Sequence, residues 1–276
     1  MPLRWFQRRS PEIDDQLWGW ALAQFRFIGH LNDAQIGQLR KLCDAFVRTK
    51  TISGAHGFEI TNQVRITIAF QACLPVLRLG LASYDDFVEI IVYPAQFRVP
   101  RRVEDDAGVV HESVEDLAGE AMDRGPVILS WPDVQAQDMN LTIHEFVHKL
   151  DLADGIADGI PMLTGARRSR WHDRLHSAYD AFCAALELIE LEIPPDVDPE
   201  SARADRWYRQ LPLDPYAAVD PAEFFAVSGE AFFVSPEALA QAYPDWYQEL
   251  ADFFGQDPRA HATVTALNSK DQRSPK

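Results

Sequence analysis

Asn140-Leu-Thr-Ile-His-Glu-Phe-Val-His-Lys-Leu-Asp151 is the stretch whose reading decides the fold. Two histidines four apart on a helix share one face a turn apart, so His144 and His148 can reach one metal while Glu145 addresses a water beside it. The chemistry this implies is zinc-assisted hydrolysis of an amide bond. Leu141, Ile143, Phe146, Val147 and Leu150 surround the motif, and neither Gly nor Pro interrupts it. That pattern predicts a helix largely buried in a core, whose His, Glu and His need partners that a metal and its water supply.

A catalytic zinc takes three protein ligands and leaves a position for water, so a third ligand must come from elsewhere. A metzincin would place another histidine six residues after His148, where Asp154 stands. A later segment offers a glutamate instead: Tyr216-Ala-Ala-Val-Asp-Pro-Ala-Glu-Phe-Phe-Ala-Val-Ser-Gly-Glu-Ala-Phe-Phe233, a core helix opening with Asp220 as cap and Pro221 at its first position. Glu223 and Glu230 share one face two turns apart, and spacing alone does not choose between them. Glu223 also fits the reciprocal half of a capping box with Asp220, and Glu230 fits a buried carboxylate that partners a ligand histidine. Asp151, three residues past His148, is positioned either to orient an imidazole from behind or simply to end the helix in solvent. Asn140, one turn before His144, reads either as a group that helps hold the cleft or, in preference, as a solvent-facing amide.

Two nearby patterns are set aside. His172 and His176 repeat the four-residue spacing but lack an adjacent glutamate, and four arginines between 167 and 174 oppose a cation. Residues 151–159 carry acidic side chains at turn spacing, yet lack the twelve-residue loop and closing Glu of a calcium-binding EF-hand.

Composition narrows the class. A formal net charge of −16 argues against nucleic-acid binding, which needs a basic field. With 47% hydrophobic residues and no apolar run long enough to cross a bilayer, the chain is expected to fold as a protein of the aqueous phase with no membrane partner. Cys43, Cys73 and Cys183 are scattered, as reduced core thiols of a cytoplasmic protein would be, and the basic, aromatic amino terminus lacks a secretory signal's apolar region.

Periodicity predicts helices over 11–25 and 32–48 and a buried helix over 61–79 that Pro75 kinks or ends. Residues 87–93, 97–102, 109–114 and 127–131 read as strands of one small sheet. An outer strand of such a sheet beside the motif helix can pair with an extended peptide. The expected fold is α+β: a mostly helical zincin-like unit with a small mixed sheet beside the active-site helix. Residues 1–11 and 261–276 read as flexible termini around a single unit over 12–260. That unit comprises a helical part (12–80), the sheet and His-Glu-Phe-Val-His part (81–160), and a helical part with the third ligand (161–260).

With Val127-Ile-Leu-Ser-Trp131 before them, the His144–Asp151 and Asp214–Phe233 segments resemble the Mlc titration factor A family of bacterial zinc peptidases. The resemblance runs from about residue 12 to 260, and Pro-Ala-Glu-Phe-Phe-Ala is its most specific phrase. It implies a glutamate-zincin core similar to the peptidase domain of anthrax lethal factor, with one catalytic Zn2+. Carried onto this chain, the metal ligands are His144, His148 and Glu223, the catalytic residues Glu145 and Tyr216, and the supporting carboxylates Asp151 and Glu230. The resemblance further implies aminopeptidase activity on a peptide or protein substrate, and, as an alternative function, sequestration of a transcriptional repressor of sugar uptake. Gly229 departs from it, since a bulkier residue is expected before Glu230.

Overall fold

The computed structural model describes residues 13–259, apart from 105–109, 118, 122–124, 137–139 and 200. The expectations of flexible termini at 1–11 and 261–276 therefore lie outside the described residues.

The helices begin where short polar side chains satisfy the free N–H groups of a first turn. In α1 (Asp15–Gln24) Asp14 accepts from Leu17 N at 2.7 Å. In α2 (Asp33–Thr49) Asn32 and Gln35 bond each other's backbone in a capping box. Leu39, Leu42, Cys43, Phe46 and Val47 then form one buried helical stripe, the spacing that packs a helix on a core. Thr61 caps α3 (Asn62–Cys73), which is buried from Ile66 to its end and stops just before Pro75.

The sheet differs from the expected one. Thr51–Gly54 (β1), Glu89–Tyr93 (β2) and Val127–Ser130 form parallel neighbours, and Gly119–Ala121 runs antiparallel to the last of them. Phe97–Glu104 (β3) and Val110–Leu117 (β4) instead pair only with each other, as a separate two-stranded sheet. In chain order Gly119–Ala121 is β5 and Val127–Ser130 is β6. Every residue of β6 is buried, because it lies inside the sheet; the outer strand beside the motif helix is β5. Trp131 does not extend β6 but starts α4 (Trp131–Val134), where Pro132 suits a first helical turn and not a strand.

The motif helix α5 (Leu141–Asp151) is held on one side by the sheet and α3, and on the other by α8 (Pro221–Val234). Phe146 meets Phe46, Tyr84 and Phe87 at ring separations of 5.7, 5.2 and 5.8 Å, and the Tyr84 hydroxyl lies within bonding distance of the Ala72 and Phe146 carbonyls. Lys149 is fully buried among these rings; it reaches Asp86 at 3.2 Å and the Gly125 carbonyl at 3.3 Å. Around α8 lie α6 (Gly165–Glu192), α9 (Pro236–Ala242) and α10 (Pro244–Phe254), with an aromatic core centred on Trp171, Phe225 and Trp246 between α6, α8 and α10; α7 (Asp205–Tyr208) packs on α6, where Trp207 and Tyr208 cover a smaller cluster of Ile193, Val197 and Ala204. No helix of the described residues is long and apolar enough to cross a membrane.

Candidate metal centre

The site is built where α5 and the first turn of α8 approach each other. Further along the pair Gly229 of α8 lies against Val147 of α5, and a Cβ on that glycine would stand 2.9 Å from Val147 Cγ2. A bulkier residue there would push the helices apart, so the departure at Gly229 has a packing reason in this chain.

Across that contact, the Nε2 atoms of His144 and His148 lie 3.1 Å apart, and each lies 3.2 Å from Glu223 Oε2. Among the described residues these three form the one group of His, Cys, Asp or Glu able to hold a metal together. A tetrahedral ion with bonds of about 2.0–2.1 Å keeps its donors roughly 3.3–3.4 Å apart, so this triangle fits one. If both imidazoles donate to Glu223, their two N–H groups face each other at 3.1 Å; a cation bound in place of those protons resolves that conflict.

Burial lowers the His144 pKa against the pull of the Glu223 hydrogen bond. Burial acts the same way on His148, but its bond to Glu223 and the charges of Glu223, Glu145 and Asp151 outweigh it and raise its pKa. Burial opposes ionisation of Glu223 too, yet the two imidazoles hold its carboxyl well below the usual range. The centre is thus an anionic carboxylate between two imidazoles, the charge pattern that draws in a divalent cation.

Each donor has its own support. Asp220 Oδ1 accepts from Glu223 N at 2.8 Å, which caps α8 while the Glu223 side chain turns to the histidines. The capping-box role for that side chain is therefore not the one it takes. Glu230, the other candidate, sits two turns away: its Oε1 accepts from Asn140 N at 2.6 Å and its Oε2 lies 4.0 Å from His144 Nδ1. Burial pushes its pKa up to about 7, against the Asn140 bond. Asn140 is not a solvent-facing amide: it is buried, and its Oδ1 caps α5 by accepting from Ile143 N at 3.0 Å.

Asp151 is likewise fully buried, not solvated, with its pKa raised by burial to about 7. Its Oδ2 accepts from Gly159 N at 3.0 Å. Gly159 has φ +77°, and a Cβ there would lie 2.4 Å from the Pro221 carbonyl, so only glycine lets this loop pass the start of α8. Asp151 in this way ties the end of α5 to the turn that carries Glu223. The other acidic residues of the turn, Asp154 and Asp158, pair with Arg168 at 3.5 and 3.4 Å.

Glu145, 3% exposed, projects from α5 beside His144. Tyr216 is 45% exposed, and its hydroxyl lies 3.4 Å from Glu223 Oε1. It occupies a 3-10 turn, Pro215–Ala218, fixed by Asp214 accepting from Tyr216 N and by the Tyr179 hydroxyl donating to Ala218 O. The sequence-based candidates therefore converge on one place. What sequence reasoning missed is the frame: buried Lys149 with Asp86, and Tyr179 behind the tyrosine turn. A lysine within the buried motif helix is the signal that marks the first. His172 and His176 lie apart on α6, with Arg170 and Arg174 engaged by Glu249 and Asp245.

Comparison with known proteins decides the class, because the family model of glucose-regulated metallo-peptidase M90 matches residues 3–255. The chain belongs to that metallopeptidase family. It is 40% identical over 259 residues to Mlc titration factor A of Cronobacter sakazakii, covering 92% of this chain and 91% of the relative. The proteins of the same name from Escherichia fergusonii and Klebsiella pneumoniae are each 37% identical, over 92% and 93% of this chain and 91% and 92% of theirs.

Proposed function

We propose that the chain is a zinc-dependent peptidase of the glutamate-zincin class, cytoplasmic, with aminopeptidase activity. The observation that carries this reading is the triangle of His144, His148 and Glu223, with the Tyr216 hydroxyl 3.4 Å from Glu223 and the buried carboxylate of Glu145 close enough for its charge to act on His148. Bound zinc would supply Lewis acidity to the scissile carbonyl and acidify the attacking water. Glu145 takes that water's proton and passes it to the leaving amine, work suited to a buried carboxylate beside the reacting atoms. The Tyr216 hydroxyl, exposed to a substrate, donates to the developing oxyanion. Glu230 and Asp151 hold the two helices so that the donors keep their spacing.

A second reading rests on the relatives' printed name, Mlc titration factor A: the chain binds a Mlc-like transcriptional repressor, and peptidase action is secondary to that binding. The two functions are compatible.

The deciding experiment combines elemental analysis with peptide cleavage in the presence and absence of chelator. Cleavage should require zinc, and Glu145→Gln should retain the metal while losing about 10²- to 10⁴-fold in turnover, the usual range for a general acid–base group. Turnover that survives both chelation and the substitution would leave repressor binding as the function.

A further inference from the structure

A groove of about 1100 Å³ opens beside the amino-terminal end of α5, between α1, α3 and α4. Its walls carry Trp20, Phe25, Phe58 and Trp131, and its floor carries buried Val64, Gln71 and Asn140. Exposed Gln24, Gln63 and Gln135 stand at its rim. No Lys, Arg or His is among the described residues that line it, and Glu59 is its one carboxylate.

Asn140 joins the groove to the metal centre. Its backbone N–H holds Glu230, whose other oxygen faces His144 Nδ1. One helical turn separates Asn140 from His144, or about 6 Å along the axis. An extended peptide covers that length in about two residues.

We infer that this groove holds the substrate chain beyond the scissile bond, and that the substrate is an extended polypeptide with apolar or aromatic side chains two or more residues from that bond. The inference rests on the peptidase reading of the metal centre. The aromatic walls fit such side chains, and the glutamine amides at the rim supply donors and acceptors for a peptide backbone, which carries both. A small anionic ligand finds no cation there. At 1100 Å³ the groove exceeds the roughly 300–1,000 Å³ of small-molecule pockets, as a site for several residues should. The acidic protein, net −16, and Glu59 at the rim favour a neutral or basic chain.

The test uses two probes, alanine p-nitroanilide and a hexapeptide that begins with alanine and carries Phe at its third and fourth positions. Two variants are compared with the parent: Trp20→Ala, which removes a wall, and Gln63→Trp, which fills the groove from an exposed position without touching the core. Both should lower kcat/KM for the hexapeptide by about 30-fold, the effect of losing one aromatic anchor, and leave the anilide and the zinc content unchanged. Fluorescence anisotropy of labelled hexapeptide on the inactive Glu145→Gln protein should show the same loss of affinity when either change is added. Equal losses on both probes, or no loss of hexapeptide binding in either variant, would overturn the inference. If the parent cleaves neither probe while groove substitutions still weaken hexapeptide binding, the groove assignment stands and the peptidase reading falls.

Discussion

At the scale of the residue, the question that spacing left open was which glutamate completes the centre. Glu223 Oε2 is 3.2 Å from both imidazoles, whereas Glu230 reaches only the far nitrogen of His144, at 4.0 Å, and spends its other oxygen on Asn140. Glu223→Ala should therefore abolish stoichiometric zinc in the purified protein. Glu230→Ala should keep the ion but bind it about 10- to 100-fold more weakly, the usual cost of losing a group behind a ligand. Metal titration of both variants checks this, and the reverse pattern would exchange their roles. His144, Glu145 and His148 were legible in the sequence because their chemistry is local to one helical turn. Glu223 was not legible from spacing, because it lies 75 residues beyond His148 and its approach depends on how α8 is docked. Asn140 misled, and the role of Asp151 stayed open, for the same reason: a polar side chain at a helix end looks solvated until the packing around it is known, and here both are buried.

Among the elements, α1, α2, α5 and α8 were readable to within a few residues because caps such as Asn32 and Asp220 and the buried stripe of α2 are local signals, whereas α3 stops at Cys73, before the expected 79, and α6, α9 and α10 had no individual bounds in the sequence reading. The sheet was not readable. β1 and β5 are only four and three residues long, too short for alternation to appear, and the pairing of β1 with β2 joins segments far apart in sequence. The strands at 97–104 and 110–117 were legible as strands, but nothing local told that they pair only with each other. The contact between α5 and α8 allows a direct test. Gly229→Ala would gain about 1 kcal/mol of helix propensity at an unconstrained site. Here the new Cβ meets Val147 at 2.9 Å, and overpacking of this kind costs about 1–3 kcal/mol. The variant should be destabilised in denaturant titrations and hold zinc less tightly, because His148 neighbours the displaced valine. In a Val147→Ala background the same exchange should become neutral or stabilising; equal destabilisation in both backgrounds would show that the contact does not set the spacing of the two helices.

For the molecule as a whole, the metal centre joins parts of the chain that the core also joins. His144 and His148 belong to the helix packed on the sheet, and Glu223 to the helix surrounded by α6, α9 and α10. An ion bound by all three has its full site only in the folded chain, so it stabilises that state in proportion to the logarithm of its concentration over Kd. At free zinc about 1,000-fold above Kd the gain is about 4 kcal/mol, which for a chain of this size raises the midpoint of thermal unfolding by on the order of 10 °C. Removing the ion with chelator should lower the midpoint by that amount, and zinc added back should restore it. Glu223→Ala should start near the chelated value and respond weakly to either treatment, since two histidines on one helix no longer bridge to α8. Glu145→Gln, which leaves the three donors in place, should respond as the parent does. A chelator effect that persisted undiminished in Glu223→Ala would mean that the stabilising ion sits elsewhere, and that α8 is held to α5 by packing alone.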